Sequence, residues 1–441
     1  MIHLANILLV MADTEAARTL HAALVAESFA GPLVTSGAEA LAQARALRPD
    51  VVVVGEHPAD MTSLACARTL KDHPETADIP VFLVGADWPA EALPLLQRIG
   101  VDDVLSWPSE RAVLGPRLRP LVRLSTMRAE LEHRTAAAGR FGLAVSDHVD
   151  APAERPQILV AGTEADQAQV RAAAVTDAEL TSAATLYEAD DLMARRIFDC
   201  LVIGVDGSPE PALDICAQIR RNPRLFNLPV ILLLPTETPA DVERAYLLGA
   251  SLVLPRQPSA AALEWALATL VRRQQRRWAL RRAFDRTRLP ALLSADLPEL
   301  YTRDFLLAYL NGRIETARRQ GKPLTVIHFA FGGVARIEEE FGSAAGNHLR
   351  QQLGQWITSL VRAEDLAAHL GGARFAVALP DTPLEEAQIV MHRIAGVIGY
   401  TDFAVQDVYQ VVKVWPHVGA AAWSEADTAA SLLEHAEAAA D

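Results

Sequence analysis

Short runs of β-branched and aliphatic residues alternate with alanine-rich amphipathic stretches in the first part of the chain. The runs stand at residues 7–10, 51–54 and 81–84, and a weaker one follows at 101–105. Uninterrupted apolar runs bounded by turn residues are typical of strands that are buried on both faces. Such strands alternating with helices form a parallel sheet covered by helices, so this region predicts an α/β domain.

The same pattern then occurs a second time. The segment DCLVI at 199–203 repeats DVVVV at 50–54, and the later strands repeat in the same order. A repeat of this length indicates two similar domains. We place the first at 1–135 and the second at 157–288, joined by an Ala-, Pro- and Gly-rich linker at 136–156.

The pattern of apolar and polar residues changes in the last part of the chain, which we assign to a third domain at 289–441. Its apolar pattern predicts long helices interleaved with a hairpin whose turn holds Gly371 and Gly372. Helices combined with antiparallel strands indicate an α+β domain.

Composition and charge restrict the class of protein. The chain has 441 residues, 51% of them hydrophobic and 22% charged, as in ordinary globular proteins. A net charge of −14 argues against nucleic acid as a partner, because phosphate binding requires a basic surface. No apolar run reaches the roughly 18 residues of a membrane helix, and no basic region precedes the first run as in a signal peptide. The three cysteines lack paired spacing, and we expect a soluble cytoplasmic protein.

The end of the second domain is strongly basic. Six arginines stand in this helical stretch: Arg272, Arg273, Arg276, Arg277, Arg281 and Arg282. Such runs are usually a solvated helix face. The alternative is a cationic face that meets a phosphate ligand or an acidic neighbour.

The first two domains resemble the receiver domains of response regulators, which are CheY-like, doubly wound parallel-sheet domains. A working receiver needs an acidic pair that holds Mg²⁺, a phospho-accepting Asp, a Thr or Ser and a Lys. The residues at these positions are Met11, Ala12, Gly55, Gly85 and Trp107 in the first copy, and Gly162, Thr163, Gly204, Leu234 and Arg256 in the second.

The required phosphorylation groups are thus missing from both copies. Nearby acids are at least one residue out of register, and such a shift turns a side chain to the other face of a strand. The resemblance implies that neither domain accepts phosphate in the usual way. An atypical acceptor such as Asp206 is the alternative.

The third domain resembles the GGDEF domain of diguanylate cyclases. Three segments carry the resemblance: FGSAAGNHL at 341–349, VRAEDLAAHLGGARF at 361–375 and LPDT at 379–382. A glycine pair, an aromatic residue, an apolar strand and Pro-Asp in register are more specific than any of them alone. The order receiver–receiver–GGDEF is that of the PleD-type response regulators.

The family's catalytic positions hold unusual residues in this sequence. In the family, carboxylates at two places bind two metal ions, and the corresponding positions here hold Ala330 and the pair Ala373 and Arg374. The positions that read guanine in the family hold Glu338 and Asn347 here. Metal-assisted phosphoryl transfer requires those carboxylates. The resemblance therefore predicts a degenerate GGDEF domain that binds no metal and is not an enzyme.

A second family site, the inhibitory RxxD motif, is retained. Arg362 and Asp365 form the motif, and Arg393 matches a further family arginine on the following helix. The resemblance implies that these three residues bind cyclic di-GMP. An Arg fork suits phosphate or the guanine O6 and N7 edge, and Asp accepts from guanine donors. A plain i, i+3 surface ion pair is the alternative.

These observations predict a non-catalytic cyclic di-GMP effector that resembles the PopA-type members of the family. By that resemblance its receiver domains would engage protein partners, such as a protease adaptor and cell-cycle regulators at a cell pole, and a homodimer is compatible with it. The alternatives are a ligand-independent receiver-based scaffold and, least favoured, a residual diguanylate cyclase. No second arginine that completes the ligand site is identified beyond the weak candidate Arg155.

Overall fold

The computed structural model describes residues 4–149, 155–174, 177–222, 224–235 and 238–440. The chain divides into two compact units. The first unit comprises Asn6–Ser125 and Asp150–Ala279, and the second comprises Met1–Ala5, Thr126–Val149 and Leu280–Asp441.

The first unit contains two parallel sheets, one for each copy of the repeat. The first sheet has the order β2-β1-β4-β5-β6, and β3 pairs with β1. Its strands are β1 (Ala5–Val10), β2 (Phe29–Ala30), β3 (Leu33–Val34), β4 (Val51–Val54), β5 (Val81–Gly85) and β6 (Asp103–Ser106). The helices of this part are α1 (Glu15–Ala26), α2 (Gly37–Leu47), α3 (Ser63–Asp72), α4 (Leu93–Ile99) and α5 (Leu114–Gly139).

The second sheet is also parallel, in the order β11-β10-β9-β7-β8. Its strands are β7 (Gln157–Ala161), β8 (Glu179–Ala183), β9 (Cys200–Gly204), β10 (Val230–Leu234) and β11 (Leu252–Pro255). Its helices are α6 (Glu164–Ala173), α7 (Leu186–Arg195), α8 (Glu210–Arg221), α9 (Pro239–Leu247) and α10 (Ala260–Arg286). One hydrophobic cluster contains buried residues of both copies, such as Val52 and Ile158, so the two copies share a core.

The second unit is built on a mostly antiparallel sheet in the order β12-β14-β15-β13-β16, in which β12 and β14 form the only parallel pair among the described strands. Its strands are β12 (Tyr301–Thr302), β13 (Leu324–Gly332), β14 (Leu366–Gly371), β15 (Arg374–Pro380) and β16 (Trp415–Ala422). Its helices are α11 (Arg303–Gln320), α12 (Val334–Phe341), α13 (Ser343–Leu360), α14 (Leu384–Tyr400) and α15 (Ala429–Ala438). The predicted succession of two parallel-sheet α/β parts and one α+β part is confirmed.

A glycine turn closes the hairpin between β14 and β15. Gly371 and Gly372 have φ values of +103° and +61°. A residue with a Cβ rarely adopts such angles, which explains why this turn uses two glycines.

The last part of α5 belongs to the second unit and carries a stripe of buried polar residues. Thr126, Glu130 and Arg134 follow one another at intervals of four, which places them on one helix face. They are only 7%, 0% and 4% exposed, respectively. Buried polar groups require partners, and the second unit supplies those partners.

Candidate functional site

The RxxD motif forms the turn between α13 and β14. The carboxylate of Asp365 accepts a hydrogen bond from the Arg362 backbone N–H at 2.7 Å, and the Asp365 N–H donates to the Arg362 carbonyl at 3.2 Å. Asp365 is 7% exposed, whereas Arg362 lies at the surface. The acid therefore organises the backbone of the turn, and the turn presents the Arg362 side chain to solvent.

The turn borders a cleft of about 160 Å³ within the second unit. Arg281, near the end of α10, and Arg288, which follows α10, also line this cleft together with Arg134 of α5. Sequence reasoning found Arg281 only as part of a basic run and missed Arg288 and Arg134. Their positions near the ends of two connecting helices were the only signal.

The charges around the cleft have both signs. Besides the arginines, its lining includes the carboxylates of Asp285, Glu299 and Asp365. The Arg288 guanidinium donates to the Glu299 carbonyl at 2.7 Å, and Glu299 Oε2 is buried without a hydrogen-bond partner among the described residues. Such a lining can bind an anion through arginine forks and can accept N–H donors through its carboxylates.

Arg393 approaches the same turn from another direction. It lies on α14 and donates to the Leu360 carbonyl at 2.9 Å, at the end of α13. It is not among the residues that line the cleft. The structure therefore places Arg393 beside the motif but gives it a helix-terminal carbonyl as its contact, a favourable place for a cation.

The positions of the family's metal-binding carboxylates meet in the sheet. Ala330 on β13 is directly opposite Arg374 on β15, and Arg374 forms an ion pair with Glu437 at 3.2 Å. Neither Ala330 nor Ala373 has a side-chain oxygen, and a guanidinium repels a cation, so these residues do not fit a divalent metal. Within the described ranges, no group of three or more His, Cys, Asp or Glu residues could hold one.

The two positions assigned to guanine reading are joined by an arginine that sequence reasoning missed. Arg350 contacts the Glu338 carboxylate at 2.7 Å and the Asn347 side-chain oxygen at 2.5 Å. The hydrogen bond from Arg350 lowers the pKa of Glu338. Both acceptors are thus bound to one guanidinium in this structure.

The acceptor pocket of the second receiver-like copy is filled by a residue that the sequence did not single out. A Cβ added to Gly204 would lie 2.4 Å from the carboxylate of Asp166, which is 2% exposed. Arg256, at the lysine position, contacts that carboxylate at 2.9 Å. Asp206 is exposed and lies 3.4 Å from Arg256. The Asp166 carboxylate therefore occupies the space beside Gly204 that an acceptor side chain would need.

The first copy fills the equivalent space with an apolar side chain. A Cβ added to Gly55 would lie 2.5 Å from the Met11 sulfur. The space beside the glycine at the expected acceptor position is thus occupied by an ion-paired carboxylate in the second copy and by a thioether in the first.

Part of the basic stretch on α10 meets acids of the first copy. Arg272 donates to the Val101 carbonyl at 2.6 Å, Arg273 lies 3.3 Å from the Asp103 carboxylate, and Arg276 lies 3.6 Å from that of Asp102. The interpretation as a solvated face is wrong for these three arginines, because each is partly buried and contacts the first copy. The acidic-neighbour alternative describes them.

Comparison with known proteins shows what the chain is similar to. Residues 296–441 match the family "Diguanylate cyclase, GGDEF domain". The chain is also similar to the response regulator PleD of Caulobacter vibrioides, with 26% identity over 433 residues that cover 98% of this chain and 95% of PleD. The chain is therefore similar to PleD along nearly its whole length, and its last part is similar to GGDEF domains.

Solved GGDEF structures also resemble this region. One is the GGDEF domain of PA1120 from Pseudomonas aeruginosa, at 27% identity and a TM-score of 0.32, covering 33% of this chain and 85% of that one. Another is the GGDEF domain of DgcB from Caulobacter crescentus in complex with c-di-GMP, at 15% identity and a TM-score of 0.32, covering 34% of this chain and 86% of that one.

The comparison corrects one prediction. We expected no enzyme, yet the family that matches residues 296–441 is that of the diguanylate cyclases. That expectation rested on the residues at Ala330 and Arg374, whereas residues 296–441 as a whole match the family. Separately, none of the described helices is long and apolar enough to cross a membrane.

Proposed function

We propose that this chain binds cyclic di-GMP at the turn formed by Arg362 and Asp365. The observation that carries the proposal is the cleft in which this turn is joined by Arg281 and Arg288. The retained motif thus lies in a partly enclosed, arginine-rich place on the second unit.

The chemistry of the cleft suits this ligand. Cyclic di-GMP carries two phosphates, which arginine forks bind well, and two guanines, whose O6 and N7 accept from Arg. Carboxylates such as Glu299 and Asp365 can accept from the N–H groups of guanine. The cleft of about 160 Å³ is smaller than the roughly 300–1,000 Å³ of drug-sized pockets, so it would enclose one part of the ligand while the rest lies against the surface.

Calorimetric titration of cyclic di-GMP into the full chain tests the proposal. We expect a Kd in the low micromolar range or tighter, about −8 kcal/mol or better. Arg362→Ala and Arg288→Ala should each weaken binding about tenfold to a hundredfold, because hydrogen bonds to charged groups contribute about 1.5–3 kcal/mol. Asp365→Asn tests the acid, since its amide oxygen can still accept from the Arg362 N–H.

Arg318→Ala is the matched control, because Arg318 is an exposed arginine of the same unit that donates to a backbone carbonyl, that of Glu425, away from the cleft. It should leave the affinity unchanged. Equal losses in Arg318→Ala and Arg362→Ala would show a general effect of charge and would contradict a site at this turn.

Arg393→Ala tests the third residue of the predicted site. Arg393 donates to Leu360 beside the motif and lies outside the cleft lining. We propose that it contributes to the ligand site mainly by holding the end of α13, so its loss should weaken binding less than that of Arg362. A larger loss would place Arg393 in direct contact with the ligand.

The proposal extends to an effector role that rests on family analogy. The receiver-like domains, at the proposed bounds 1–135 and 157–288, would bind protein partners when the ligand is present, as in PopA-type relatives. A protease adaptor and cell-cycle regulators at a cell pole are the partners that this analogy suggests. Proteins that co-purify with the chain only when cyclic di-GMP is present, and not with Arg362→Ala, would support it, whereas identical sets would contradict it.

Diguanylate cyclase activity is the second candidate function, and the family match at residues 296–441 favours it. The side chains of Ala330 and Arg374 do not fit the metal ions that this chemistry uses. Incubation of the full chain with GTP and Mg²⁺ or Mn²⁺ decides the point, because the formation of cyclic di-GMP is the direct readout.

A further inference from the structure

Arg134 reaches the RxxD turn from helix α5. Its terminal nitrogen Nη2 lies 3.0 Å from the carbonyl of Ala363, 2.9 Å from that of Glu364 and 2.9 Å from that of Asp365. Its guanidinium also lies 4.3 Å from the ring centroid of Phe284, within the range of a cation–π contact. Arg134 is 4% exposed, so the turn and the aromatic ring nearly enclose it.

Three consecutive carbonyls that point at one nitrogen define the shape of the turn. Neighbouring carbonyl dipoles repel one another when they point the same way, and a cation at their focus offsets that repulsion. Arg134 supplies that cation directly beneath the motif. The backbone between Arg362 and Asp365 is therefore fixed at both ends, by the Asp365 carboxylate on one side and by Arg134 on the other.

Buried contacts hold Arg134 itself in place. Four residues earlier on the same helix face, the fully buried Glu130 forms an ion pair with Arg313 of α11 at 3.1 Å. Another turn earlier, Thr126 donates to the Asp381 carboxylate at 3.0 Å. These contacts fix the rotation of α5 about its axis and thereby aim Arg134 at the turn.

We propose that Arg134 is a positioning residue of the cyclic di-GMP site, one that shapes the RxxD turn through its carbonyls and leaves ligand contact to Arg362. This inference rests on the proposed function. It implies that a complete site includes part of α5, which lies more than 200 residues before the motif in the sequence. Residues 296–441 without α5 would then lack one of the groups that shape the ligand-binding turn.

The test uses the full chain with Arg134→Met, which keeps the length of the side chain and removes its charge and donors, and Arg134→Lys, which keeps a cation. Arg140→Met is the matched control, since Arg140 follows α5 and donates to the Ala308 carbonyl at 2.9 Å away from the cleft. Amide hydrogen exchange of residues 360–368 is measured without ligand, and calorimetry then gives the affinity for cyclic di-GMP. Exchange in α11 reports whether the rest of the unit stays folded.

We expect Arg134→Met to exchange at least tenfold faster in the turn and to bind at least tenfold more weakly, with α11 unchanged. Arg134→Lys should recover most of both losses, and Arg140→Met should match the unmodified chain. Unchanged exchange in the turn, or affinity within twofold of the unmodified chain, overturns the inference.

Two further outcomes separate this inference from the proposed function. If Arg134→Met also loosens α11, Arg134→Gln takes its place, and equal affinities of the Gln and Lys variants overturn the role of the charge. If the unmodified chain binds no cyclic di-GMP, the proposed function fails and the ligand role of Arg134 fails with it, while faster exchange in the turn still supports the shaping of the turn by Arg134.

Discussion

Replacing Arg313 by methionine tests whether the buried charges beneath α5 hold the second unit together. Arg313 is 2% exposed and lies 3.1 Å from Glu130 and 2.9 Å from Asp381. Asp381 also has Lys322 at 3.0 Å, whereas the other close donor to Glu130 among the described residues is the hydroxyl of Tyr309. The substitution therefore affects Glu130 most.

The expected magnitude follows from the burial of Glu130. Burial raises the pKa of Glu130, and the charge of Arg313 opposes that rise. Removing one partner of a buried ion pair typically costs about 3–5 kcal/mol, because the other charge remains without compensation. We expect about 3 kcal/mol for Arg313→Met, since Glu130 can take up a proton once its partner is gone.

A double variant separates the charge from the packing. Glu130→Gln alone should cost about 1 kcal/mol, since it keeps a polar group opposite Tyr309. When Glu130→Gln is added to Arg313→Met, it removes the uncompensated charge. The double variant should therefore lose less unfolding free energy than the sum of the two single variants, by about 1–2 kcal/mol.

Urea titration followed by amide exchange of α11 peptides measures these free energies within the second unit. Arg319→Met, on the exposed side of the same helix, is the control and should change stability by less than about 0.5 kcal/mol. A cost below about 1 kcal/mol for Arg313→Met, or strict additivity in the double variant, would refute the reasoning.

Three shorter predictions concern pH, packing and phosphorylation. Burial and the charge of Arg313 lower the pKa of His133 from 6.5 to about 3, so the unfolded chain binds more protons between these values. The second unit should therefore lose stability as the pH falls from about 6.5 towards 3, by at most about 1.4 kcal/mol per pH unit, and urea midpoints of His133→Gln should depend less on pH. Gly204→Ala should destabilise the first unit by about 1–3 kcal/mol in thermal melts, because its Cβ would lie 2.4 Å from the Asp166 carboxylate, and a neutral result would contradict the filled pocket. Acetyl phosphate should leave the intact mass unchanged, and a phosphate on Asp206 would show an atypical acceptor.

The sequence was sufficient for the features that depend on local pattern. The apolar runs at 51–54 and 81–84 became the strands β4 and β5, and the paired glycines Gly371 and Gly372 became a hairpin turn. The motif residues Arg362 and Asp365 stand directly before β14, the strand that leads into this hairpin turn.

Residues that act across long sequence distances escaped prediction. Arg134 lies near the end of α5 and Arg288 lies just after α10, and both line the cleft within the second unit, a juxtaposition that no spacing in the sequence reveals. Asp166 is the third residue of α6, and its carboxylate turns back into the pocket beside Gly204, which no sequence pattern reveals. In each case a charged side chain contacts a glycine or a turn that is distant from it in the sequence.

The binding of cyclic di-GMP to the full chain, compared with Arg362→Ala, tests the central claim most directly. Calorimetry should give a low-micromolar or tighter Kd for the unmodified chain and a loss of at least tenfold for the variant, with both proteins folded as judged by circular dichroism. Absence of binding by the folded, unmodified chain, or equal affinity of the variant, would contradict the assignment of the ligand site to this turn.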